Sequence, residues 1–344
     1  MSAESTNNKQ PEWKSLVNKY QESSFWKSSW QIANTFIPFL TLWVLMYFSL
    51  EYSYWITFLL SIPCGGFLVR IFIIQHDCGH GSFFKTKKVN NSVGLICSLF
   101  TWTPYYYWQR GHAIHHAHTG NLEKRGIGDI HTMTVSEYKQ LSKFAQLKYR
   151  LYRNPINLFI IIPTFLFTVF YRFPTTRAKS MKKYESSIYW TNLALAVLVG
   201  GIMAVIGWKA FILVHIPALM VSSAAGTWLF FIQHQFEDTY WAEKKDWDYT
   251  KAALDGSSYY KLPKILQWFT GNIGFHHIHH LSSRIPNYRL EQCHRENPMF
   301  WNTVVLTIKT SFKSTFLSLW DDEEHRLISF RSLKKKSLSN AGAA

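Results

Sequence analysis

The chain has 344 residues, 47% of them apolar, with 37 Lys and Arg against 21 Asp and Glu and a net charge of +16. That length suits one large domain or two modest ones. Its four cysteines, Cys64, Cys78, Cys97 and Cys293, form no CxxC pair, which argues against a disulfide framework, a thiolate zinc site or an iron–sulfur cluster. Nothing resembles a soluble, basic reading surface, so nucleic-acid binding is set aside as well.

A mean hydropathy of −0.09 would pass for a soluble protein, but the apolar residues are unevenly spread. The first thirty residues are polar and mixed in charge, so no cleavable signal peptide is expected, and 1–29 reads as a cytoplasmic N-terminal segment. Near-continuous apolar runs follow at 30–50, 54–74, 188–207 and 211–232. Each has about the ~20 residues that a helix needs to cross a ~30 Å hydrocarbon core. Four transmembrane helices in two hairpins are therefore predicted. Residues 30–330 form one membrane-embedded domain, and 331–344 a basic tail, with the last dozen residues disordered.

The short link SLEYSYW between the first two runs holds no Lys or Arg, and the link between the last two holds only Lys209. By contrast, residues 111–155 carry seven basic residues, and Arg172, Arg177, Lys179, Lys182 and Lys183 cluster before the third run. The positive-inside bias places both termini and both long connections in the cytoplasm. Two weaker apolar stretches, 93–108 with Pro104 and 156–171 with Asn157 and Pro163, are expected to be interfacial or re-entrant. Arg70, inside the second run, is expected to snorkel toward the cytoplasmic headgroups. His215, in the fourth, reads as structural.

Ten of the fifteen histidines lie in three windows: QHDCGHGSFF, RGHAIHHAHTG and GFHHIHHLSS. On a helix, residues three and four apart share a face. His76 and His80 fit that spacing, as do His112, His115 and His116, and His276, His279 and His280. Each window is thus predicted to aim its imidazoles at a common point just outside the bilayer. His234, in FFIQHQFED, follows the cytoplasmic end of the fourth run and joins them because the spans are even in number. Nine candidate ligands are too many for one metal and suit two, with four or five each. Imidazole without thiolate fits iron, copper, zinc or nickel and disfavours structural zinc. HDCGH lacks the glutamate of HExxH, and no CxxCH haem attachment occurs. His277 faces away from its neighbours and is expected to support rather than ligate; His118, His131, His294 and His325 read as surface or hydrogen-bonded residues.

HDCGH, HAIHH and HHIHH resemble the three histidine boxes of the membrane-bound fatty acid desaturases and their hydroxylase relatives. HHAHTGNLEKRGIGDI, WLFFIQHQFEDTYW and LQWFTGNIGFHHIHHLSSRIPNY look most like bacterial acyl-lipid desaturases of the Bacillus phospholipid type, and the likeness runs from the first span to SLWDD. The resemblance implies an all-α membrane protein whose four-helix stem carries a cytoplasmic helical cap. It implies two Fe2+ ions on His76, His80, His112, His115, His116, His234, His276, His279 and His280, with O2 as co-substrate. It further implies removal of two hydrogens from adjacent methylenes of a membrane-lipid acyl chain, giving an unsaturated fatty acyl product. No HPGG motif of a fused cytochrome b5 occurs, so a separate electron donor, ferredoxin or flavodoxin, is expected, and +16 suits an acidic one. Gly65, Gly66, Gly94, Gly200, Gly201 and the SSAAG stretch are small enough for close helix packing or for the walls of an acyl tunnel. Two other readings are a di-iron hydroxylase of an apolar substrate and, from a different class, a metal or haem transporter. The second would want ionisable residues within the spans, where His215 and Arg70 stand nearly alone.

Overall fold

The computed structural model describes residues 12–342. Four of its helices are long and apolar enough to cross a membrane: α1 (Phe25–Ser49) and α2 (Tyr54–His80) in one hairpin, and a second hairpin carried by Ser186–Ile206 and Trp208–His234. Between the hairpins lie α3 (Lys87–Thr101) and α4 (Tyr105–His118), so the second pair is α5 (Ser186–Ile206) and α6 (Trp208–His234). The turns are short for local reasons. Ser53 accepts a hydrogen bond from Trp55 N at the start of α2. Gly207, at φ 84°, is the whole link between α5 and α6, a backbone angle that costs glycine nothing.

Helix length places the histidines. At 1.5 Å per residue, α2 and α6 with 27 residues each are about 40 Å long. A hydrocarbon core takes ~30 Å of that. The surplus of about two turns carries His76 and His80 on α2, and His234 on α6, out of the apolar layer without a break in either helix. The spans thus run past the stretch expected for them, and the histidines belong to the helices rather than following them.

Gly65 is where α2 and α6 come closest: a Cβ there would lie 2.6 Å from Val221 and 2.8 Å from the Ala218 carbonyl oxygen. Trp102, at φ 54°, ends α3, and Pro104 opens α4, so the 93–108 stretch is two helices meeting at a corner. The other weak stretch is a bent segment. Helix Lys143–Tyr152 meets Asn157–Arg172 at 60°, and the second arm begins with a π turn at Asn157–Ile161.

Beyond the stem, helices α7 (His276–Leu281) and α8 (Asn287–Glu296) build the cap with two small sheets. β1 (Met133–Thr134) pairs parallel with β4 (Leu317–Asp321), which pairs antiparallel with β5 (Arg326–Ser329). β2 (Tyr259–Lys261) pairs parallel with β3 (Val305–Thr307). The fold is mostly helical, as expected, and the sheets are its addition to the cap.

Two expectations are corrected. Arg70 does not reach for headgroups. It is buried, donates Nε–H to Thr35 Oγ1 at 3.1 Å and a guanidinium N–H to the Trp268 carbonyl, and lies over the Trp268 ring at 3.9 Å. A cap residue meeting the span satisfies the charge where it stands. The tail is helical over Phe330–Gly342 rather than disordered. Lys336 is held by Asp321 at 2.9 Å and Glu323 at 2.8 Å, and Leu333 packs into the core beneath β4 and β5.

Candidate metal centre

All nine histidines marked by the sequence meet where α2, α4, α6 and α7 converge, in two groups. His76, His80, His112, His116 and His279 form one, and His115, His234, His276 and His280 the other; within each, one ring nitrogen per residue lies within 4.8 Å of the rest. Contrary to expectation, not every window aims at one point. The i, i+4 pairs His112/His116 and His276/His280 stay together, while His115 and His279 go to the opposite group. Consecutive helical residues point about 100° apart, so the second and third boxes serve both groups, while His76 and His80 both join the five-histidine group.

Hydrogen bonds orient the rings. His115 Nδ1 donates to Asp129 Oδ1 at 2.5 Å, and His234 Nδ1 donates to the Gly256 carbonyl at 3.1 Å. His76 Nδ1 lies 3.2 Å from Asp77 Oδ1. Asp77 Oδ2 in turn accepts from Asn287 N at 2.7 Å and Asn287 Nδ2 at 2.8 Å, at the start of α8, where a helix N-terminus favours a carboxylate. Carboxylate or carbonyl partners on the outer nitrogen are the usual way of fixing the tautomer of a ligating histidine.

With their Nδ1 protons committed, His115 and His234 turn bare Nε2 lone pairs toward each other at 3.2 Å, and His276 Nε2 lies 2.9 Å from the same His234 atom. In the other group, His116 Nε2 is 3.1 Å from both His112 Nε2 and His279 Nε2. His80 Nε2 and His280 Nε2 are buried without a protein partner. Lone pairs gathered this closely repel unless a cation lies between them, and imidazole-only donors suit divalent iron among others. The residues fit the metals that the sequence implied. Burial first, then the neighbouring imidazoles, holds His112, His116, His276, His279 and His280 well below the usual histidine pKa, so they are neutral and ready to ligate at pH 7.

The remaining histidines fall as expected or close to it. His277 turns away from both groups and donates Nε2–H to the Phe300 carbonyl at 3.2 Å, and burial pushes its pKa down to about 3. His215 packs against both Trp102 and Phe211. Sequence reasoning missed Asp77 and Asp129. Asp77 carried a signal in its place beside His76; Asp129, in a loop 14 residues from His115, carried none.

An apolar cavity of about 460 Å³ opens beside the histidines, lined by His76, His112 and His276 and extending along α6 from Gln233 to Leu219. Those fifteen residues span about 21 Å of helix, more than the ~15 Å of one leaflet's hydrocarbon. Ser222, Ser223 and Gly226 of the SSAAG stretch line it, and a Cβ on Gly226 would meet nothing within 4 Å. The glycines thus divide: Gly65 serves packing and Gly226 the cavity wall.

Four spans long and apolar enough to cross a membrane, two histidine groups that could hold metal ions and an apolar cavity beside them set the class of protein to look for among known families. Residues 53–310 match the model of the family described as fatty acid desaturase, and the chain belongs to that family. It is 47% identical over 304 residues, 88% of this chain and 86% of the relative, to a fatty acid desaturase of Bacillus subtilis (strain 168). More distant relatives in Synechocystis sp. (strain ATCC 27184 / PCC 6803 / Kazusa) are an sn-1 oleoyl-lipid 12-desaturase and an sn-1 acyl-lipid omega-3 desaturase (ferredoxin). The first is 25% identical, covering 79% of this chain and 78% of its own. The second is 26% identical, covering 64% and 62%. The chain is thus a lipid-desaturating oxidoreductase, and neither hydroxylation nor metal transport is favoured.

Proposed function

We propose that the protein introduces a cis double bond into fatty acyl chains esterified in membrane phospholipids. His76, His80, His112, His116 and His279 hold one Fe2+; His115, His234, His276 and His280 hold the other. O2 is the co-substrate, and electrons come one at a time from a separate ferredoxin or flavodoxin. The observation that carries this reading is the apolar cavity, whose lining includes histidines of both groups. The relatives named for acyl lipids and for ferredoxin support the substrate and the donor.

An unactivated methylene offers no acid, base or leaving group, so the bound irons supply the oxidising power that side chains lack. Two substrate hydrogens, two electrons and two further protons reduce O2 to two waters. The chain's own residues do the rest. Asp77 and Asp129 fix the tautomer and direction of His76 and His115. The cavity wall of Phe72, Ile73, Leu229 and Ile273 excludes water and holds the chain in one register, so that one pair of carbons faces the histidines. By the charge bias of the connections the site and both termini face the cytoplasm, in a bacterial cytoplasmic membrane.

The test is fatty acid mass spectrometry on a bacterial host without desaturases, expressing the protein or its H276A variant aerobically with a compatible donor. New monoenes with the intact protein alone support the reading, and their double-bond position gives the regiochemistry. Retained hydroxyl products would replace it with hydroxylation.

A further inference from the structure

The bent segment forms one wall of the cavity. Leu158, Ile162, Pro163, Leu166 and Phe167 turn one face of it inward and line the cavity. The opposite face bears Ile160, Ile161, Phe165, Val169 and Phe170, all exposed, with Phe165 at 51% and Phe170 at 50%. Such a row on a membrane protein is covered by acyl chains. At this wall the same helix thus presents one face to the cavity and the other outward. It is also the least regular helix beside the chamber: a π turn at Asn157–Ile161 runs directly into Pro163, and π turns and prolines are where helices give. The arm before the bend, Lys143–Tyr152, is amphipathic. Phe144, Leu147 and Leu151 are exposed along one side, with Lys143 and Lys148 beside them, the pattern of a helix lying in the headgroup layer. Tyr152, at its end, lines the cavity.

We propose that the bent segment is a lateral portal, through which a bilayer phospholipid passes its acyl chain sideways into the cavity while its headgroup stays at the level of helix Lys143–Tyr152. The inference rests on the phospholipid reading above and adds the route. A chain taken in this way never crosses water, so its hydrophobic burial is not forfeited on the path.

The experiment uses the full-length, iron-loaded protein in nanodiscs containing a phospholipid with a diazirine in its acyl chain, and reads adducts by peptide mass spectrometry. Adducts are expected on the inner face, at Ile162 and Leu166, and deep on α6, at Ser222 and Gly226. A bifunctional methanethiosulfonate then ties the segment to α6 in an F159C/W228C protein, whose parent rings lie 5.0 Å apart. Tethering is expected to cut deep adducts at least tenfold, and reduction to restore them. L166W, which plugs the segment from inside, is an independent variant expected to do the same with iron content unchanged. Deep adducts that survive both changes overturn the portal and leave the phospholipid reading intact. Deep adducts from a water-soluble acyl thioester probe, with none from the phospholipid, overturn both. Adducts confined to Phe165 and Phe170 would show only surrounding lipid and also overturn the portal.

Discussion

His116 and His280 stack ring on ring, with centroids 4.0 Å apart and planes 11° from parallel, although they belong to different histidine groups. The two proposed centres therefore share a wall. Removing His280 takes one of four nitrogens from its own group and the packing surface of a ligand in the other. H280A is expected to fall from about two irons per chain to one or fewer, measured by mass spectrometry of the metal. Activity should drop by more than the ~10–100-fold seen when an outer partner of a ligand is lost.

The short Asp129–His115 hydrogen bond makes a more selective prediction. D129N keeps the shape but lets His115 turn or change tautomer. Iron affinity at the four-histidine group should fall about 10–100-fold in a chelator competition, with the five-histidine group unaffected. D77N should differ, because Asp77 also anchors the start of α8 through Asn287; it is expected to lower the unfolding temperature as well as iron retention.

Arg153 is a buried cation with no carboxylate among its hydrogen-bond partners. Its N–H groups reach the His131 carbonyl at 3.2 Å, Gln235 Oε1 at 3.2 Å and the Leu317 carbonyl at 2.7 Å. It thereby ties the loop beyond Asp129, the residue after His234 and strand β4 together. R153M removes these donors and leaves Gln235 Oε1 with Thr132 alone, at a cost of about 1–3 kcal/mol, read as a lowered midpoint in thermal unfolding in detergent.

Gly94 lies beneath Tyr105, where an added Cβ would sit 2.2 Å from the ring. G94A should cost about 1–3 kcal/mol by overpacking. Because Tyr105 opens the helix that carries His112, His115 and His116, it should also weaken iron retention. Metal content and unfolding midpoint, measured together, check the coupling.

The cap histidines set a pH dependence of known sign. Burial holds His112, His116, His276, His279 and His280 well below 6.5 in the folded chain, while the unfolded chain protonates near 6.5. Unfolding therefore takes up protons below that pH. The metal-free protein is expected to keep its full stability above about pH 7.5 and lose it progressively as pH falls through 6.5. A midpoint that rises on acidification would contradict this.

What the sequence by itself determined is what rests on short-range order. Span number follows from runs of ~20 apolar residues, and the identity of the clustered histidines from i, i+3, i+4 spacing. An even number of spans brought His76, His80 and His234 to one side. Only the tertiary structure decided how nine histidines divide into five and four, because neighbours such as His115 and His116 diverge around the helix and find partners more than a hundred residues away. It also supplied Asp129 to His115, took Arg70 from the headgroups to Trp268, and made the 156–171 stretch one wall of the cavity. Each of these depends on which distant segment fills the space beside a residue, and local composition carries no record of that.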